Sequence, residues 1–187
     1  LRPWTTFSVP NGKKLTARDL LTEFFPYSSE QMTVKNDLLK RSYIRNYKHQ
    51  QPIYLLGNYQ VLSLRMLTAQ DVVTAGWVVR ARSTDIEDVD VEIILPGLTI
   101  KDEPFKVGDT IAMDSSKPQV TTLHVQRLDE NRLCVTAIPL AYSGFTKTDT
   151  ALKMTPPEQL NMDAYWPVTR DTGSAMAAEE KAAAEGK

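Results

Sequence analysis

The side chains that could act as a nucleophile and its base are Cys134, the only cysteine, and His124, one of two histidines. A thiolate activated by an imidazole is the reactive pair of many thiol enzymes. Both residues fall in segments that alternate like strands, where they would be diagonal neighbours on the polar face of a hairpin. The sequence shows neither an oxyanion hole nor a group that orients the imidazole. We therefore expect a half-buried Cys134, a surface His124 and no catalysis.

A second group of reactive side chains is a run of carboxylates around the start of a predicted strand: Asp85, Glu87, Asp88, Asp90 and Glu92. Calcium binds to several carboxylate oxygens at once, but an EF-hand-like loop starting at Asp88 would need glycine at Ile93 and a carboxylate at Thr99. We expect an acidic loop that leads into a solvated strand face, and no metal site.

Other signatures of catalysis are missing from the sequence. The eight glycines are scattered and form neither a phosphate-binding loop nor a dinucleotide fingerprint. A G-x-S-x-G elbow is also absent. Two histidines are too few for a histidine-rich metal site within one chain. The sequence predicts a non-enzymatic protein with no catalytic, cofactor-binding or metal-binding residues.

A predicted long helix carries Arg41, Arg45 and Lys48 on the side opposite its apolar residues. Such a basic face can bind phosphate groups or anionic lipid. The tyrosines of this helix lie on the apolar side and the net charge is −1, which favours packing and protein contacts over nucleic acid. These three residues, with the aromatic pair Tyr165 and Trp166 in the tail, are the candidate partner-binding residues.

Charge is divided unevenly along the chain. Residues 1–82 hold 12 Lys and Arg against 5 Asp and Glu, whereas residues 83–187 hold 10 against 18, so the halves carry about +7 and −8. Such a separation can guide self-association or docking on a charged partner. We expect a homo-oligomer or an assembly with a protein partner. No stretch is long and apolar enough for a membrane span.

Residues 1–52 are predicted to form a strand and two helices that pack on the core. Thr16 and Asp19 have the spacing of a capping box for a helix over Ala17–Phe25. A second helix, capped by Ser28 or Ser29, is expected to run to about residue 49. The strand is predicted over residues 4–9.

Residues 53–142 change to a period of two and are rich in β-branched side chains, which is typical of strands. In strand 59–67, Leu62, Leu64 and Met66 are predicted to share one face, and in strand 77–82, Trp77, Val79 and Ala81 are predicted to point inward. In the next strand, the apolar residues Val89, Val91, Ile93 and Leu95 alternate with acidic residues, which is typical of a half-buried strand. A further strand is expected over 105–113, with a bend at Gly108 and Asp109.

The clearest pattern is a hairpin of residues 120–128 and 132–140. A three-residue loop pairs Gln126 with Cys134 and His124 with Thr136. This register puts apolar residues on one face, namely Leu123, Val125, Leu133, Val135 and Ala137, and polar residues, including Thr122, on the other. A slip by one residue would mix the two sets.

About seven short strands predict a mainly β domain with N-terminal helices. We expect an immunoglobulin-like β-sandwich, with a small, partly open β-barrel as the alternative. The core domain covers residues 53–142, and residues 143–187 are expected to form an extended C-terminal tail.

A local pattern runs from Phe105 through Val107, Gly108 and Asp109 to Ile111, and is followed by the hairpin. Over about 35 residues it resembles periplasmic domains of platform proteins in type II secretion and type IV pilus assembly. The resemblance implies a cell-envelope assembly or adhesion module in the periplasm or at the cell surface, associated with the outer membrane. The chain begins with Leu1 instead of Met, and we expect a processed or trimmed protein.

The function that the sequence favours is therefore non-enzymatic assembly through protein–protein contacts. The alternative is a basic-helix module that binds nucleic acid or an anionic membrane surface. A third hypothesis is a thiol enzyme that uses Cys134 and His124.

Overall fold

The computed structural model describes residues 13–45, 54–73, 75–97, 105–114, 120–139, 160–161 and 163–164. Two helices near the start of the chain are followed by a series of strands. The elements in chain order are β1 (Lys14–Leu15), α1 (Ala17–Phe24), α2 (Ser29–Arg45), β2 (Tyr54–Leu55), β3 (Gly57–Met66), β4 (Gly76–Ser83), β5 (Val89–Pro96), β6 (Thr110–Met113), β7 (Val120–Arg127) and β8 (Leu133–Pro139). The predicted strand over residues 4–9 lies outside the described residues.

Six of the strands form one mixed sheet in the order β6-β3-β4-β5-β8-β7. Neighbouring strands are antiparallel except β5 and β8, which are parallel. β1 and β2 form a separate two-stranded parallel pair. The prediction of a mainly β domain with N-terminal helices is confirmed. The immunoglobulin-like sandwich and the small barrel are not confirmed, because six of the described strands form one open sheet with β6 and β7 at its edges.

Both helices begin with reciprocal side-chain caps. The Thr16 hydroxyl accepts from the Asp19 N–H, and the Asp19 carboxylate accepts from the Thr16 N–H, as the capping-box spacing predicted. Ser28 and Gln31 make the same exchange at the start of α2. These bonds satisfy N–H groups that have no partner within the helix, so local sequence fixes where α1 and α2 start.

The main core lies between the helices and one face of the sheet. α1 and α2 bury Leu20, Phe24 and Met32, which belong to the same cluster as the strand residues facing them. Trp77, Val79 and Ala81 of β4 are in this cluster, as predicted, and so are Val89, Val91, Ile93 and Leu95 of β5. The period of two therefore identified the inward side chains of both central strands correctly.

Strand β3 contains a β-bulge between Val61 and Ser63. After the bulge, Leu64 pairs with Val79 and Met66 with Trp77, so both share the core face, as predicted, although Met66 is 60% exposed. Leu62, the third residue predicted on that face, is the unpaired residue at the bulge. A bulge inserts one extra residue, which is why Val61 and Leu64 lie on the same face although they are three residues apart.

The β7–β8 hairpin has the predicted register. Gln126 pairs with Cys134, and His124 pairs with Thr136. A bulge between Thr122 and His124 moves Leu123 into the apolar cluster on the second face of the sheet. Leu123 was expected on the same face as Val125, and Thr122 on the opposite face. The bulge exchanges both, because Thr122 pairs with Ala137 of the main core, while the pairing near the turn stays as predicted.

Candidate functional site

The structure describes the side chain of one of the five candidate partner-binding residues, Arg41. Arg41 is exposed on α2, and its Nε lies 2.7 Å from Oδ2 of Asp37, one turn earlier. Arg45 is the last residue of α2, and its side chain lies outside the described part of the chain. Lys48, Tyr165 and Trp166 also lie outside the described residues. Arg41 therefore presents its charge beside a carboxylate that partly neutralises it.

Two other cations of α2 point toward the protein instead of forming an outer basic face. The Lys35 ammonium lies 3.8 Å from the centre of the Tyr27 ring and 3.9 Å from a carboxylate oxygen of Glu23, and its side chain is 3% exposed. Burial lowers the pKa of Lys40, which lines a groove between α2 and β7, while Asp37 acts in the opposite direction. Lys35 thus stabilises the packing of α1 and α2 through a cation–π contact.

The Cys134 and His124 pair differs from its prediction. Cys134 is fully buried, not half-buried, and burial with a further contribution from Glu92 raises the pKa of its thiol. Burial and nearby Lys40 lower the pKa of His124 to about 3, so its imidazole is neutral at physiological pH. A thiol enzyme needs a readily formed thiolate, and these surroundings oppose one.

The predicted solvent face of β5 is a buried ion cluster. Asp85, Glu87 and Asp88 are exposed as expected, but Asp90 and Glu92 have no exposed surface. The prediction failed because cations of β4 and of the residue just before β8 cover Asp90, and Thr136 of β8 bonds to Glu92. Asp90 accepts hydrogen bonds from three guanidinium groups, namely those of Arg80, Arg82 and Arg132. No group of carboxylates, histidines or cysteines with a metal-binding arrangement occurs among the described residues.

Register explains how these charges meet. β4 and β5 pair Arg82 with Asp90 and Arg80 with Glu92, and β5 and β8 pair Glu92 with Thr136. The Thr136 hydroxyl donates to Glu92 at 2.8 Å. Paired side chains on one face of a sheet lie close enough to form ion pairs and hydrogen bonds. Removing one partner from this cluster would therefore be costly, because a buried charge would be left unpaired.

A groove of about 440 Å³ runs between α2 and strand β7. Its lining combines polar and apolar side chains, including Tyr27, Met32, Lys40, His124, Gln126 and Arg127. One wall is fixed by the Arg127 guanidinium, which donates to the carbonyl groups of Phe25 and Tyr27 just after α1. Because Arg127 satisfies carbonyl groups at the end of α1, it joins that helix to the sheet.

The outer side of β7 is closed by one side chain of α2. The Asn36 amide group donates to the Val125 carbonyl and accepts from the Val125 N–H, each at 2.7 Å. Val125 pairs with Val135 of β8, and its backbone groups point away from that strand. Asn36 thus replaces a neighbouring strand at this position, which we call the β7 edge.

The outer side of β6 has a different structure. The Val61 N–H donates to Asp109 and the Gly108 N–H donates to Val61, so Val61 directs its backbone groups toward the β6 side. Antiparallel alternation then gives hydrogen-bonded pairing of Tyr59 with Ile111. The same alternation directs the N–H and C=O groups of Thr110 and Ala112 away from the sheet.

We call these outward groups of Thr110 and Ala112 the β6 edge. Within the described part of the chain, they receive no hydrogen bond. The side chains of Thr110 and Ala112 are exposed. Ile111, which lies between them, and Met113, which follows them, are buried. The β6 edge is therefore a short, uncharged strand edge that is open to solvent, and the unbonded N–H and C=O groups are a template for another strand.

The turn before β6 contributes to this geometry. The Asp109 N–H donates to the Lys106 carbonyl, and Gly108 has a φ of 94°. This left-handed conformation at the third position of a tight turn favours glycine. The predicted bend at Gly108 and Asp109 is confirmed, although the strand itself begins only at Thr110. Val107 at the turn is 67% exposed.

Sequence reasoning did not identify either edge as a site. The alternation of residues 110–113 predicts a strand, but only the strand order shows that this strand ends the sheet. Asn36 gave no signal in the sequence, because its partner Val125 lies 89 residues further along the chain.

In the part of the chain that the structure describes, no helix is long and apolar enough to cross a membrane. Comparisons of the chain with protein-family models, curated proteins and solved structures found no match.

Proposed function

We propose that this chain is a non-enzymatic assembly module that binds a protein partner by strand addition at the β6 edge. The observation that carries the proposal is the open backbone of Thr110 and Ala112. Extended segments add to such edges through main-chain hydrogen bonds, and neighbouring side-chain sites supply specificity.

The surroundings of the β6 edge support this proposal. Natural edge strands are commonly protected by a very short length, lysine, proline or an inward charge. Thr110–Met113 is short, but it contains no lysine, proline or inward charge, and the adjacent β3 positions Asn58 and Gln60 are exposed and uncharged. An incoming strand would therefore meet no charged side chain on β6 itself.

The cell-envelope setting is part of the proposal and rests on the resemblance of residues 105–135 to secretion and pilus platform domains. Assembly domains of such systems act through contacts with other subunits. The periplasm or the cell surface is the compartment in which we expect this module to act.

The basic-helix alternative has less support from the described side chains. Arg41 is paired with Asp37, Lys35 is buried, and Lys40 faces the groove. The thiol-enzyme hypothesis is opposed by the buried Cys134 and the pKa values of Cys134 and His124.

Site-specific photo-crosslinking separates these functions. A photoreactive amino acid is introduced at Ala112, at Arg41 or at Val34, which is exposed on α2 and serves as the background control. Cells that make the protein are irradiated, and the adducts are compared. We expect discrete protein adducts from position 112 above the Val34 background. Discrete adducts from position 41 alone would contradict the proposal and favour the basic helix, and background labelling at position 112 would also contradict it.

A further inference from the structure

We propose that the partner at the β6 edge is a second copy of this chain. The two β6 strands pair antiparallel about a two-fold axis and join the two sheets into one. This inference rests on the proposed function, since it uses the same open edge. It goes further by naming the partner, the orientation of the strands and their register.

The register follows from which backbone groups are open. An antiparallel pair is hydrogen-bonded only where both opposing residues direct their N–H and C=O groups toward each other. Placing Thr110 opposite Ala112 of the second copy meets this condition, and the two-fold axis repeats the pair. The arrangement uses every outward group of Thr110 and Ala112, which gives about four hydrogen bonds.

Side-chain facing is compatible with the same register. A two-fold axis perpendicular to the sheet leaves the helix-covered faces of both copies on one side. Ile111, which is 3% exposed on that face, lies opposite Ile111 of the second copy at the axis. The other face brings together Thr110 and Ala112, whose small side chains leave room for a neighbouring strand. No like charges on β6 oppose each other.

The four-residue length of β6 sets the expected strength of the dimer. Few main-chain bonds are formed, and association costs translational and rotational freedom. We therefore expect a weak dimer in reversible equilibrium with the monomer, not a permanent complex. Such a contact becomes strong only where several copies are held close together.

The test is sedimentation of the full chain from about 5 to 500 μM, a range that covers weak association. The chain has a mass of 21.0 kDa, so the monomer and the dimer are easily distinguished. Ala112→Pro removes an outward N–H in each copy, and Ala112→Val is the matched control that keeps it. We expect dimerisation of the wild-type chain and of Ala112→Val, and a dissociation constant raised at least about tenfold by Ala112→Pro.

Amide exchange of the wild-type chain supplies a second measurement that requires no variant. Protection of the Thr110 and Ala112 amides should rise with protein concentration. Unchanged protection of these amides, a monomer at every concentration, or a dimer unaffected by Ala112→Pro would each overturn the proposal. Loss of the dimer in both Ala112 variants would overturn the backbone pairing.

The failure of this inference can be told apart from failure of the proposed function. A chain that stays monomeric but gives adducts with another protein from position 112 rejects the second copy as partner and retains strand addition. A chain without such adducts and without dimers rejects both.

Discussion

Both edge strands of the sheet direct backbone N–H and C=O groups outward. In the part of the chain that the structure describes, these groups are hydrogen-bonded at the β7 edge and not at the β6 edge. At the β7 edge, both outward groups of Val125 are bonded to the Asn36 side chain. At the β6 edge, Thr110 and Ala112 direct the same groups into solvent. A single amide side chain on a packed helix can therefore bond the N–H and C=O groups of one strand residue, as a neighbouring strand does for alternate residues along its length.

The difference also separates stability from binding. α2 packs along β7 and contributes Met32 to the core, so closing that edge is part of folding. β6 contributes Ile111 and Met113 to the same core, while among the described residues nothing bonds to the outward backbone groups of Thr110 and Ala112. We infer that changes at the β7 edge alter the free energy of unfolding, whereas changes at the β6 edge alter association.

The largest expected effect comes from proline at the closed edge. Val125→Pro removes the N–H that donates to Asn36, and its ring would collide with the Asn36 oxygen. Val125→Ala is the matched control, because it truncates the same buried side chain and keeps the N–H. We expect Val125→Pro to lower the free energy of unfolding by at least about 3 kcal/mol more than Val125→Ala. Equal values in chemical denaturation would show that the Asn36 bond does not close the edge.

Removing the side chain that closes the β7 edge should have the next largest effect. Asn36 is 6% exposed, and Asn36→Ala leaves the N–H and C=O of Val125 without their partner. Each buried unsatisfied group costs about 1–3 kcal/mol, so we expect a loss of about 2–5 kcal/mol by urea denaturation. Thr33→Ala, an exposed change on the same helix, should cost less than about 0.5 kcal/mol. Similar losses in the two variants would count against the capping role of Asn36.

Acid should also weaken the closed edge. His124 beside Asn36 has its pKa lowered from 6.5 to about 3, by burial first and by Lys40 second. Between these values the unfolded chain binds a proton that the folded protein does not. The free energy of unfolding therefore falls as the pH drops from about 6.5 toward 3, by at most about 1.4 kcal/mol per pH unit.

His124→Gln is the control for this pH dependence. The variant cannot take up the proton, so its unfolding free energy should change less over the same range of pH. Denaturation series at several pH values compare the two proteins. Identical slopes would contradict a role for His124 in the acid response.

Local patterns in the sequence predicted the parts of this fold that depend on neighbouring residues. Thr16 and Asp19 exchange hydrogen bonds across one helical turn, and the hairpin register near Asp129 follows from a short loop. In both cases the interacting groups lie within about ten residues, so spacing alone determines the contact.

Long-range contacts explain what the sequence did not predict. Asp90 was expected in solvent because the alternation of apolar and polar residues places it on the polar face of β5. On that face, however, Asp90 forms ion pairs with Arg80, Arg82 and Arg132. The pairing of β5 with β8 brings Arg132 to that position. Strand order likewise decides that β6 lies at an edge. A pattern that reports which face a residue occupies cannot report which strand lies next to it.

The smallest effect on folding is expected from proline at the open edge. The Ala112 N–H points away from β3, so Ala112→Pro removes no bond of the sheet, and the strand already requires an extended conformation. The exposed alanine side chain contributes little packing. At a concentration where the chain is monomeric, we expect a change of less than about 1 kcal/mol in the free energy of unfolding. Ile111→Pro is the contrasting variant, since its N–H faces Tyr59, and it should destabilise by about 3 kcal/mol or more. A large loss in Ala112→Pro would mean that the outward N–H already has a partner within the folded chain, and the contrast between the two edges would then fail.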